Sequence, residues 1–314
     1  MQTKIPLEPQ QYNQIHYDSK ILLVGSCFAE SIGEKLNYFK LQSTINPFGI
    51  LFHPIAIEKL ITNAINDKEY SKEDVFIHNE QWHNFDAHSN LCATSIEDTL
   101  EQLNKSRENA KVQICSATHI IITLGTAWVY RHIETDTIVA NCHKLAQKKF
   151  LKKLLSVEDI NESLQSILAL IKQVNRKATV VFTVSPVRHT KDGFVENNLS
   201  KAHLISGIHQ VIDKRNGVLY FPSYEIMMDE LRDYRFYSED MIHPNKIAID
   251  YIWERFKRVW ISETSYQTMD DVDSIQKGMS HQPFNSKTDL HKQFLEKLQE
   301  RKFKLNTRFP HIVF

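Results

Sequence analysis

Three short, unbroken apolar runs constrain this chain most. They are Lys20-Ile-Leu-Leu-Val, ending at Gly25; Thr118-His-Ile-Ile-Ile-Thr-Leu, ending at Gly125; and Ala178-Thr-Val-Val-Phe-Thr-Val, ending at Ser185-Pro186. A strand covered on one face alternates polar and apolar residues, whereas one covered on both faces reads as a continuous apolar run. The segments between them carry helical spacing: Phe28, Ile32 and Leu36 over 27–39, and Leu164, Ile167, Leu168 and Ile171 over 155–175. Further helices are predicted over 54–66 with Pro54 in the first turn, over 95–113 behind Ser95, over 197–213 and over 245–260. Weaker strands are predicted near 41–45 and at 218–221. Strands alternating with helices give an α/β fold, a mostly parallel sheet between two helical layers.

The remaining segments read as insertions and appendages. Residues 74–93 are rich in aromatics and histidine and are expected to form a hairpin or irregular insertion; 127–141 is an excursion with a turn at 134–136. The domain is expected to span 1–262. The extension, 263–314, is expected to be a linker over about 263–285 followed by a charged amphipathic helix carrying Leu290, Phe294 and Leu298. That helix is expected to pack on the domain.

Lys and Arg together number 38, as do Asp and Glu, so nothing steers the chain towards nucleic acid or an anionic membrane. Cys27, Cys92, Cys115 and Cys142 form no CxxC pair, which favours reduced thiols in a reducing compartment. The first twenty residues have no apolar core of signal-peptide length, and the expected location is the cytoplasm.

In parallel α/β sheets the ligand lies at the carboxyl ends of the strands. Ser26 follows the first strand and opens the next helix, where free amides and the helix dipole favour a developing oxyanion. Its competing role is that of a helix N-cap alone. Asp240-Met-Ile-His243-Pro244 places an Asp three residues before a His, a spacing that can hold one ring nitrogen and leave the other for a serine. The reading requires these two distant loops to meet. Gly49 and Asn46 in the Asn46-Pro47-Phe48-Gly49 turn, Thr126 after Gly125, and the Ser26 amide are the candidate oxyanion donors. Cys27 is expected to pack the helix, since neighbouring helical side chains diverge and cannot both face one base. His88, His143 and Arg188 sit in predicted edge loops as candidate substrate contacts. His83 and His189 lie in the same loops. No HxxxH on a helix and no Cys/His quartet is present, so neither metal nor cofactor is expected.

Gly25-Ser-Cys-Phe-Ala29 resembles the signature of the GSCFA family, a branch of the SGNH (GDSL-like) hydrolases. Asn46-Pro-Phe-Gly49, Thr123-Leu-Gly-Thr-Ala-Trp128, Asn141-Cys-His143, Ser185-Pro-Val-Arg-His189 and the stretch Tyr220–His243 also resemble family segments, so the likeness covers about 20–260. It implies a flavodoxin-like three-layer fold and esterase chemistry. The nucleophile maps onto Ser26, the acid and base onto Asp240 and His243, and the oxyanion glycine onto Gly49. The superfamily's Gly-x-Asn block falls at Gly125-Thr126-Ala127, where Ala127 replaces the Asn donor; Thr126, Asn46 or a histidine is left to substitute. The implied substrate is a small-molecule or carbohydrate ester, such as a sugar O-acetyl group. Acyl transfer to a sugar acceptor, and a non-catalytic carbohydrate-binding module, are the rivals, with metal-assisted hydrolysis a third.

Overall fold

Apolar runs too short for a helix and too dry for a surface pair side by side, and here they do so in parallel. The computed structural model describes residues 4–281 and 288–314. In chain order its first half holds β1 (Lys20–Gly25), α1 (Cys27–Tyr38), β2 (Gln42–Ile45), α2 (Pro54–Ile65), β3 (Phe76–His78), β4 (Gln81–His83), α3 (Ile96–Ser116) and β5 (His119–Leu124). Then come β6 (Trp128–His132), β7 (Thr137–Val139), β8 (Phe150–Leu154), α4 (Val157–Val174), β9 (Thr179–Val184), α5 (Phe194–Val211) and β10 (Val218–Tyr220). The chain ends with a short α6 (Ser223–Glu225) running into a π-helical turn (Ile226–Leu231), then α7 (Lys246–Trp260), α8 (Tyr266–Ser280) and α9 (Asp289–Arg308).

The central sheet runs β10-β9-β5-β1-β2, every pair parallel. Counted within the sheet this is the flavodoxin order 2-1-3-4-5, whose direction reverses between β1 and β5. Successive side chains of β1 divide between two cores. Leu22 and Val24 join Ile120, Ile122, Val180 and Phe182 beneath α2, α3, α4 and α5. Ile21 and Leu23 join Ile121, Val181 and Leu219 beneath α1, α7, α8 and α9. The three-layer α/β fold read from the sequence is the one observed.

Two antiparallel additions leave this frame. β3 and β4 form a hairpin within the 74–93 insertion, and β7-β6-β8 form a second small sheet. The segment expected as a linker is corrected over 266–280. It is helix α8, with Met269, Val272 and Ile275 wholly buried in the α1–α7 core. Residues 282–285 of that stretch lie outside the described residues. On α9, Leu298 and Leu305 are buried in the same core, while Leu290 stays exposed. No helix among the described residues is long and apolar enough to cross a membrane.

Candidate active site

β1 delivers Ser26 to the carboxyl edge of the sheet, at the reversal point between β1 and β5. The turn is closely packed. The Ser26 N–H donates to Thr123 O at 3.1 Å. Gly25 has φ +143°, and a Cβ there would lie 2.1 Å from the same carbonyl oxygen, so only glycine fits. Asn46 clamps the turn from β2: its Oδ1 accepts the Gly25 N–H at 2.8 Å and its own N–H donates to Leu23 O at 2.8 Å. Ser26 is fully buried and caps α1, its Oγ accepting from Phe28 N–H at 3.3 Å. Cys27 beside it is half-buried, and burial, aided by Glu30, pushes its thiol up and away from the reactive thiolate.

Asp240 and His243 form a self-contained unit. Asp240 Oδ1 accepts the N–H of Ile242 at 2.9 Å and of His243 at 3.0 Å. Its Oδ2 lies 2.6 Å from His243 Nδ1. These bonds, the His243 backbone N–H foremost, hold the carboxyl down to about 2. A carboxylate can only accept, so Nδ1 carries the proton and the Nε2 lone pair is left free. Met241 adopts φ +59° to close the loop, and Ser238 N–H donates to His243 O at 2.7 Å. Both side chains are about half exposed. Among the described residues no hydrogen bond joins Ser26 to His243; the serine hydroxyl is held by its cap.

His189, placed by the sequence in an edge loop but given no role of its own, lies near both units. A methyl group on Gly125 would meet His189 Nε2 at 3.1 Å, Phe52 O at 3.3 Å and Ser26 Cβ at 3.4 Å, so that ring and the serine turn pack closely around this glycine. The preceding residue, Arg188, donates its N–H to Ile242 O at 3.2 Å, next to His243. His189 Nε2 is buried without a hydrogen-bond partner among the described residues. Burial, then Lys201 and His243, push its imidazole down to about 3, so it is neutral at ordinary pH. The Ser185–His189 segment was visible as a strand-edge loop, but nothing in the sequence says which of two adjacent side chains turns inward.

Lys201 of α5 is also buried. Its Nζ donates to Gly125 O and Ser185 O, both at 2.7 Å, tying together the ends of β5 and β9. With no carboxylate to offset burial, its ammonium is pushed down to about 7. A neutral amine retains two N–H groups, enough for both carbonyls.

The expected oxyanion donors are largely engaged. Gly49 N–H donates to Asn46 O at 2.7 Å and Thr126 N–H to Phe52 O at 3.1 Å. Asn46 spends its side-chain oxygen on Gly25, with Nδ2 3.4 Å from Glu30 Oε1. Thr126 Oγ1 meets Ser200 Oγ at 3.1 Å and accepts from Trp128 N–H. Ala127, at the missing Asn position, is buried, its N–H donating to Ser200 Oγ at 2.7 Å.

Of the expected substrate contacts, Arg188 lies over the rings of Tyr237 and Tyr234, 4.4 and 5.1 Å from their centroids. His88 packs on the Gly49 turn, where a glycine Cβ would meet its own Cβ at 2.4 Å. His143 is not an open contact: it is buried, with ring nitrogens 2.7 Å from Asn84 O and 3.1 Å from His83 Nδ1.

No curated protein matches the sequence. A solved structure described as an acetyl esterase mutant with an acetate ion aligns with 81% of this chain and 99% of its own, at 10% identity and a TM-score of 0.37. A model for the GSCFA domain protein, C-terminal domain, matches residues 272–314. The GSCFA family model matches residues 20–256, from the first strand of the sheet into α7, and the chain belongs to the GSCFA family.

Proposed function

We propose that the protein is a serine esterase acting on a small ester, with Ser26 as nucleophile, His243 as base and Asp240 as its orienting acid. The observation that carries this reading is the His243–Asp240 pair, with Nε2 left free, on the loop before α7 at the sheet edge that holds Ser26. His243 Nε2 takes the Ser26 proton as Oγ attacks the ester carbonyl, and returns it to the departing alcohol. Water, deprotonated by the same nitrogen, then releases the acid from the acyl-enzyme. The Ser26 hydroxyl leaves its cap and the 240–243 loop closes over it during this cycle.

His189 takes the part of the absent Asn. Neutral, unpaired and beside the Ser26 turn, it donates from Nε2 to the oxyanion, as a neutral imidazole can in a dry site. Gly49, Asn46 and Thr126 then hold the turns around Ser26, with the Gly49 amide turning to the oxyanion as substrate enters. Arg188 and His88 are assigned to the walls, Arg188 facing the alcohol portion. A carbohydrate O-acetyl ester is the proposed substrate class, and transfer to a sugar hydroxyl would use the same acyl-enzyme.

Complete burial of Ser26 favours a second reading, a non-catalytic module on the same fold. Hydrolysis of p-nitrophenyl acetate by wild type and by Ser26→Ala separates them. The esterase reading expects a loss on the order of 1,000-fold or more; equal turnover by the two proteins rejects it. Release of acetate from acetylated sugars, with and without acceptor sugars, then divides hydrolysis from transfer.

A further inference from the structure

The 74–93 insertion and the loop after β7 bring three potential ligands together from separate parts of the chain. His83 Nδ1 lies 2.8 Å from Cys92 Sγ and 3.1 Å from His143 Nδ1, and Cys92 Sγ lies 3.9 Å from His143 Nδ1. Their separations in sequence are 9 and 51 residues, so no contiguous motif announces them.

The far side of each ring decides what faces inward. His83 Nε2 lies 3.0 Å from His78 O, and His143 Nε2 lies 2.7 Å from Asn84 O. A carbonyl oxygen accepts only, so both Nε2 atoms carry protons, and each ring, when neutral, aims a bare lone pair from Nδ1 into the same space. The Cys92 thiol has one proton and can serve only one of them. The other lone pair faces its neighbour at 3.1 Å, in a buried setting where such a group is costly. A cation would satisfy all three atoms together. A backbone carbonyl behind each histidine is also the arrangement that orients metal-bound imidazoles. Phe76 stacks on His83 with centroids 5.6 Å apart and stands edge-on to His143 at 5.9 Å, walling the cluster from water.

We propose that His83 Nδ1, Cys92 Sγ and His143 Nδ1 form a binding site for a zinc-type divalent cation. Two imidazoles and one thiolate suit zinc among the common divalent ions. Tetrahedral bonds of zinc length require edges of about 3.3 to 3.6 Å, inside the spread of the three separations. On binding, Cys92 releases its thiol proton to solvent, and the fourth position takes a non-protein ligand. The cation would join the β3–β4 hairpin to the 141–145 loop. The same insertion rests on the Ser26 side of the molecule, His88 N–H donating to Phe48 O at 3.1 Å, so the site braces the Asn46–Gly49 turn whether or not the esterase reading holds.

The test uses the full chain with any affinity tag removed, loaded with Zn²⁺ or Co²⁺ and then dialysed. The expected result is about one metal per chain by elemental analysis, and in the cobalt form a thiolate-to-metal charge-transfer band with strong tetrahedral visible bands. Cys92→Ala and His143→Ala should lose the metal and the charge-transfer band, while Cys142→Ala keeps both. Wild type that retains no stoichiometric metal, or a cobalt spectrum lacking the thiolate band, overturns the proposal, as does undiminished metal in folded Cys92→Ala. If the variants do not fold, the wild-type cobalt spectrum alone decides.

Discussion

His189 Nε2 and Ser26 Cβ lie 3.1 and 3.4 Å from the one point where a Gly125 side chain would begin. Glycine at 125 therefore lets the imidazole and the Ser26 turn approach each other closely. His189→Ala should lower kcat by about 100-fold, the usual cost of one oxyanion donor, with little change in KM. His189→Gln, which keeps a donor, should recover part of the loss. Because His243 is the proposed base, the acid limb of the pH–rate profile should stay in place in both variants. A displaced limb would make His189 the base instead.

Ser26→Ala should separate stability from turnover. Losing the cap on α1 costs about 1 kcal/mol, which urea unfolding will read, while esterase activity falls far more steeply. His243→Ala should cost nearly as much activity as Ser26→Ala, and the double variant little more than either, since the two act as a unit. Fully additive losses would argue against that unit.

Gly25→Ala should be among the most damaging single substitutions in the chain. The new methyl meets Thr123 O at 2.1 Å on a backbone with φ +143°, and the strand pair cannot yield there. The expected outcome is a loss of roughly 3 kcal/mol or more, or no soluble protein. Near-wild-type unfolding would mean that the turn has slack which the packing denies.

Lys201 links stability to alkaline pH. Its ammonium is lowered from 10.5 to about 7 in the folded chain, so across that window the unfolded chain binds more protons. Stability from this group therefore rises with pH above about 7, by up to about 1.4 kcal/mol per unit. The wild-type stability minus that of Lys201→Met, measured by urea unfolding at pH 7, 8 and 9, should increase steadily. A flat difference would show that the lysine is not so perturbed.

The sheet was legible in the sequence because β1, β5 and β9 are buried on both faces and read as bare apolar runs. β8 was not. Phe150–Leu154 pairs with β6 outside the main sheet, and its exposed Leu151, Lys152 and Lys153 give no alternation. Helix α8 was hidden by composition: Ser, Asp and Gln on its wet side outnumber Met269, Val272 and Ile275 on its dry one, where Thr268 is buried beside them. Ser26, Asp240 and His243 could be named because each sits in a local pattern. His189 was placed in an edge loop without a role, since its proposed part depends on which way one loop side chain turns. The His83–Cys92–His143 cluster escaped for a different reason: its spacing is set by three separate segments meeting, and pattern reading sees only neighbours along the chain.

Asp240 satisfies both its oxygens within the next three residues. On the proposed reading, acid and base thus form one unit, assembled before any partner arrives. In the proposed cycle, movement of the loop that carries them would leave the orientation of the imidazole intact. Access to the shielded serine and readiness of the base would thereby be separate variables, and a substitution that slows opening would not touch proton transfer.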